Sequence, residues 1–187
     1  AMIARLVPLG VRLVQLRFKG ETAEVSAQIA AAQAACARHG AQLVVNDHWQ
    51  AALEQRADFI HLGQEDLDTA DIAAIARAGA RLGISTHDRA ELERALALSP
   101  AYVALGPVWP TLLKQMPWRP QGLDKLTRWK SRIGDIPLVA IGGLTPARLP
   151  AVFAAGADVA AVVTDLVAAP DPEARTRLWV TEIEAAG

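Results

Sequence analysis

The chain has 187 residues, 52% hydrophobic and 5% aromatic, enough to bury one sizeable core built mainly from Ala, Val, Leu and Ile. Its 19 basic and 20 acidic residues leave a formal net charge of -1 and are interspersed rather than blocked, which excludes the electrostatic footprint of a nucleic-acid binder. The lone Cys36 excludes a disulfide framework and a cysteine zinc site, and no apolar run approaches the length that crosses a bilayer, so a soluble cytoplasmic protein without membrane partners is expected.

Residues 3–9 read as the last turns of a helix closing at Gly10, with no strand before them. Residues 11–16 form an apolar run that ends at Arg17 and Lys19, and residues 22–38 carry helical spacing closed by Gly40. The run 43–45 ends at Asn46 and Asp47, and 59–62 ends at Gln64 and Asp66. A helix over 68–77 closes at Gly79. The run 82–84 then ends at Ser85 and His87, and a helix over 88–98 stops before Pro100. The run 102–105 ends at Gly106, and 138–141 ends at Gly142 and Gly143. Thr145 followed by Pro146 marks an N-cap with proline at the first helical position, leading to Gly156. The last run, 160–163, ends at Thr164.

Buried parallel strands are continuously apolar rather than alternating, as Leu138-Val139-Ala140-Ile141 is. Seven strand–helix units without a linker predict a single α/β domain over 1–187, a TIM (β/α)8 barrel whose first strand is absent from this chain and which is therefore N-terminally incomplete. The strands beginning near Val11 and Asp158 are then expected to border a gap with unpaired backbone groups, an edge that invites pairing with another copy. Active sites of parallel α/β proteins lie at the carboxyl ends of the strands, so a row of polar strand endings describes the mouth of an enzyme. Gln15, Arg17 and Lys19 alternate onto one face of the first strand and can point into that mouth. His61 fits a core histidine, and His87 a residue that orients the rim or caps the next helix. Gly142 and Gly143 allow a backbone to approach a phosphate closely, or form a tight turn.

At the level of motifs the chain resembles the thiamine-phosphate synthase family from about Gly10 to Val167. The resemblance rests on Gln15-Leu16-Arg17-Phe18-Lys19, Asn46-Asp47, His61-Leu62-Gly63-Gln64-Glu65-Asp66, Gly83-Ile84-Ser85-Thr86-His87, Gly106-Pro107-Val108-Trp109-Pro110-Thr111 with Lys114, and Ile141-Gly142-Gly143-Leu144. It implies a transferase in which a thiazole nitrogen displaces pyrophosphate from a pyrimidine methylene carbon. Leaving-group stabilisation then requires Mg²⁺ and cationic donors. The resemblance assigns Asp47 and Asp66 as metal ligands; helix capping is their bland alternative. It assigns Gln15, Arg17, Lys19, Asn46, Ser85 and Lys114 to the pyrimidine pyrophosphate, with Arg17, Lys19, Ser85 and Lys114 serving catalysis. Thr111, Gly143, Val163 and Thr164 fall to substrate binding, the last three around the thiazole phosphate.

Three features depart from the family pattern: leucines at 112 and 113 where polar residues are usual, Asp165 where a small neutral residue is usual, and the absent first strand. Asp165 is expected to repel phosphate unless it points away. Two alternatives follow from these departures and from the shared scaffold. One is a thiazole tautomerase-like paralogue that moves a proton with a histidine; the other is a non-catalytic phosphate or pyrimidine binder with a regulatory role.

Overall fold

The structure is a computed structural model that describes residues 2–20, 22–111 and 119–186. The described residues have an α/β architecture of seven strands, and the chain divides into two compact units, Ala1–Gly83 and Ile84–Gly187.

In the first unit, helix α1 (Met2–Leu6) and a 3-10 turn (Val7–Leu9) end at Gly10, whose φ of 100° lets its N–H return to the Val7 carbonyl at 3.2 Å. Strands β1 (Leu13–Leu16), β2 (Gln42–Asn46) and β3 (Phe59–Leu62) pair in parallel in that order, with Leu13 opposite Gln42 and Val45 opposite Ile60. Helices α2 (Thr22–Ala37), α3 (Trp49–Glu54) and α4 (Ile72–Arg77) supply the crossovers. Val25, Ile29 and Cys36 of α2 are buried, as are Leu43, Val44 and Val45 of β2 and all of β3. Asp71 caps α4 by accepting the Ala74 N–H at 2.8 Å. Strand β1 differs from β2 and β3: Leu13 and Gln15 are exposed while Val14 and Leu16 are half-buried, the alternation of a strand with one sheet partner.

Strand β4 (Arg81–Thr86) starts in the first unit, where the Arg81 N–H donates to the Asp58 carbonyl, and finishes in the second. There β5 (Tyr102–Leu105), β6 (Leu138–Ile141) and β7 (Val159–Ala161) pair in parallel, Val103 facing Leu138 and Ala140 facing Ala160. Helices α5 (Arg89–Leu96), α6 (Leu123–Ile133) and α7 (Leu149–Ala154) alternate with them, followed by the short α8 (Thr164–Val167) and by α9 (Pro172–Ala186). Leu92, Leu105, Leu126, Trp129, Leu138, Leu149, Val152 and Trp179 form one apolar cluster here. Strand β7 is only half-buried throughout, again the mark of an end strand. Among the described residues no helix is long and apolar enough to cross a membrane.

Candidate functional site

In the first unit the polar strand endings gather at the carboxyl ends of β1, β2 and β3. The Asp47 backbone has φ of 64°, uncommon outside glycine but tolerated by aspartate, and tight turns follow: His48 N–H to the Asn46 carbonyl at 2.8 Å and Trp49 N–H to the Asp47 carbonyl at 2.7 Å. Asp66 opens a 3-10 turn, and its Oδ2 accepts the Gly63 N–H at 2.9 Å. The two carboxylates lie within hydrogen-bonding reach of each other. Burial, the Asp66 charge and that hydrogen bond push the Asp47 carboxyl above its ordinary range, against opposing pulls from Arg17 and His48. Neither residue caps a helix: α3 has His48 at its N-cap without a side-chain bond, and α4 is capped by Asp71.

The residues around this pair are held from behind. The His48 Nε2 meets the Phe18 carbonyl at 3.0 Å, which anchors the segment between Arg17 and Lys19. A Cβ on Gly20 would meet the Phe18 ring at 2.1 Å, so only glycine lets that ring fold back. Sequence reasoning missed this His48 anchor; its signal was a histidine directly after Asn46-Asp47. Gln15, Arg17 and Lys19 are exposed along one face, and Asn46 is buried at the end of β2. His61 is buried beneath them, and desolvation, opposed by Asp66 and reinforced by Arg17, lowers it to about 4. It is a neutral core histidine at neutral pH.

The second unit presents a different chemistry. Gly142 and Gly143 have φ of 94° and 67°, and a Cβ at either would meet Pro107 or the Trp109-Pro110 backbone at 2.7 Å. Val108 N–H donates to the Ile141 carbonyl at 2.9 Å and Trp109 N–H to the Gly142 carbonyl at 3.0 Å. Arg148 donates from its guanidinium to the Gly143 carbonyl and lies over the Trp109 ring at 4.7 Å. Val163 is exposed, and Thr164 begins α8. Asp165 is turned into the protein: its carboxylate accepts both guanidinium bonds of Arg175, at 2.7 and 2.9 Å, and the Trp179 indole N–H at 2.6 Å. Burial works to raise the Asp165 carboxyl, but these bonds and the Arg175 charge outweigh it and hold it below the usual carboxylate range. Asp165 thus meets the exception to the expected repulsion of phosphate: its carboxylate points to Arg175 and Trp179, and the guanidinium balances its charge.

Ser85, near the end of β4, is half-buried. Thr86 beside it donates to the Ala104 carbonyl at 3.0 Å and accepts the Trp129 indole N–H at 2.9 Å. The His87 N–H and Nδ1 both meet Glu91 Oε2, at 2.5 and 2.9 Å, while Lys125 donates to the His87 carbonyl at 2.5 Å and to Gln121 Oε1. His87 thus orients the rim by binding α5, whose cap is Asp88 accepting the Glu91 N–H at 2.9 Å. Thr111 is half-buried; Lys114, Leu112 and Leu113 lie outside the described residues.

The structure therefore places Gln15, Arg17, Lys19, Asn46, Asp47 and Asp66 in the first unit, and Ser85, Thr111, Gly143, Val163 and Thr164 in the second. It sets Asp47 against Asp66 under the influence of Arg17.

Comparison with known proteins shows the family. The chain is 60% identical over 179 residues to a thiamine-phosphate synthase of Rhizobium etli, a match covering 95% of this chain and 88% of that protein. It is 51% identical over 170 residues to one from Cronobacter sakazakii, covering 90% and 81%. The solved thiamine phosphate pyrophosphorylase of Pyrococcus furiosus superposes with a TM-score of 0.87 at 25% identity, over 98% of this chain and 88% of that one. The model of the TMP-TENI family, described as thiamine monophosphate synthase, matches residues 1–166, and the chain belongs to that family.

Proposed function

We propose that the chain couples a hydroxymethylpyrimidine pyrophosphate to a thiazole phosphate, forming thiamine phosphate and releasing pyrophosphate. The observation that carries this reading is the Asp47–Asp66 pair beside Arg17. Two carboxylates held against each other at a rim, with Asp47 pushed upward by burial and then by the Asp66 contact, form a hard-oxygen donor set for a divalent cation. Two carboxylates are a donor set that Mg²⁺ accepts, since it is commonly bound by one or two carboxylates and completed by water and substrate phosphate oxygens. When bound, the ion supplies positive charge to the departing pyrophosphate.

The chain's own groups do the rest. Arg17 offers a bidentate fork and Lys19 a movable point charge to pyrophosphate oxygens, and Asn46 adds a donor to the same group; for Ser85 and Lys114 the pyrophosphate role rests on the motif resemblance. Gln15 continues the Arg17 face toward the pyrimidine. The backbone around Gly143, with Val163 and Thr164, receives the thiazole phosphate, and Thr111 contributes to substrate binding. The thiazole nitrogen forms its bond to the methylene carbon as the carbon–oxygen bond to pyrophosphate breaks, so both electrons of that bond leave on the pyrophosphate. In the finer reading of the fold, the seven strands are seven of the eight of a (β/α)8 barrel, a reading supported by the strand order and the likeness to the P. furiosus enzyme. The proton-transfer alternative has the oriented His87–Glu91 pair in its favour but gives the paired carboxylates no task.

Asp47→Asn and Asp66→Asn test the metal. Asparagine tolerates the positive φ at 47, so the fold is expected to persist while Mg²⁺-dependent thiamine phosphate formation falls by about 100-fold or more. Two variants that turn over normally, measured by pyrophosphate release, would remove the metal assignment. Lys114→Ala is expected to raise the pyrimidine pyrophosphate KM far more than the thiazole phosphate KM, by about 30-fold or more if a desolvated charge pair is broken. Equal losses would make Lys114 a general attractor of anions.

A further inference from the structure

The turn after β6 presents three successive peptide planes whose carbonyls are all committed. Ile141, Gly142 and Gly143 direct their oxygens to Val108 N–H, Trp109 N–H and Arg148 respectively. In a planar trans peptide the N–H points away from the carbonyl of the preceding residue, so fixing these oxygens aims the N–H groups of Gly142, Gly143 and Leu144 the opposite way. Among the described residues no acceptor takes the N–H of Gly143 or Leu144, although Leu144 is buried. A row of oriented amides with no protein acceptor is an anion receptor. Two of the three carbonyls are held by backbone. Among the described residues the third is held by a side chain, and that side chain is braced: the Arg148 guanidinium lies over the indole of Trp109, the residue whose backbone N–H holds the neighbouring carbonyl.

We propose that Arg148 is a positioning residue for the phosphate of the thiazole substrate, acting through the Gly143 carbonyl to aim the Leu144 N–H and not as a direct phosphate ligand. The inference rests on the coupling reaction proposed above. The motif reading did not include Arg148, since it lies five residues beyond the double glycine at the end of a 3-10 turn (Pro146–Arg148). Arginine suits the task because a planar guanidinium can stack on an aromatic ring and donate in its own plane at once, which a lysine cannot reproduce.

Steady-state kinetics of the full chain with Mg²⁺ separates the possibilities. Arg148→Ala is expected to raise the thiazole phosphate KM by about 10-fold or more while changing the pyrimidine pyrophosphate KM by less than about 3-fold. Arg148→Gln, which keeps a neutral donor for the carbonyl, is expected to recover part of that loss. A direct phosphate ligand predicts instead that Gln is as damaging as Ala and that Lys rescues best, and that result overturns the proposal. Trp109→Leu, which removes the ring beneath the guanidinium, serves if Arg148→Ala does not fold; it is expected to raise the same KM selectively. Equal changes in both KM values, or a lowered melting midpoint with unchanged kinetics, also overturn it. An unsubstituted chain that forms no thiamine phosphate, but whose binding of the thiazole phosphate by calorimetry weakens on Arg148→Ala and recovers on Arg148→Gln, would sink the coupling reaction and leave the role of Arg148 standing.

Discussion

Carboxylates forced together need a proton or a cation between them, and here the geometry is built rather than incidental. Asp66 is fixed by the Gly63 N–H, and Asp47 by a left-handed backbone between two tight turns. Sequence motifs pointed to both residues, but helix capping was an equal physical use for each taken singly; the structure puts His48 at the N-cap of α3 and Asp71 at that of α4. His61 beneath them was legible as a core residue from its place in an apolar run. Its titration yields a prediction. The unfolded imidazole takes up a proton near pH 6.5, whereas burial delays this to about 4 in the folded protein, so the unfolded chain binds more protons across that window. Stability is therefore full above pH 6.5 and declines as pH falls toward 4, by an amount on the order of 2–3 kcal/mol. Urea unfolding in metal-free buffer at stepped pH checks this: His61→Gln should flatten that slope, and an unchanged slope would assign the acid sensitivity to other groups.

At the scale of elements, the strand endings were legible because buried parallel strands announce themselves as apolar runs and their first polar residue marks the rim. Helix ends were legible where glycine or Asp-capped turns close them, as at Gly10 and Asp88. The link between α8 and α9 was not, because a single Asp165 ten residues from Arg175 carries no periodic signal. Read alone it looked like a charge misplaced beside a phosphate. In the fold it ties the two helices through Arg175 and Trp179, with side chains about a quarter to a third exposed. Asp165→Ala is accordingly expected to cost about 1–2 kcal/mol, discounted for that exposure, by leaving a guanidinium and an indole N–H without their acceptor. Because its folded carboxyl is held low, the contribution is present above the unfolded value of about 3.9 and is lost as pH falls below it. A melting midpoint unchanged by the substitution at pH 7 would show that solvent replaces the acceptor fully.

For the molecule as a whole, the motif order made family and chemistry readable, while the division into two compact units left no trace in composition, since no linker or change of charge marks residue 83. The proposed function can be read from a property of the entire chain, its stability in the presence of ligands. A ligand that binds only the folded state adds about 2.7 kcal/mol at 100 times its dissociation constant, which for a chain of this size shifts the melting midpoint by about 5–10 °C. On the proposed metal assignment, pyrophosphate alone would be repelled by the Asp47–Asp66 carboxylates, and Mg²⁺ alone would find two protein ligands among the described residues. Together each completes the other's coordination, so their joint stabilisation is expected to exceed the sum of the separate shifts. Asp66→Asn should abolish that excess, whereas Arg148→Ala, distant in role from the pyrophosphate, should preserve it. A chain stabilised by the thiazole phosphate alone, with no excess from Mg²⁺ and pyrophosphate together, would instead be a phosphate binder that keeps the scaffold without the coupling chemistry.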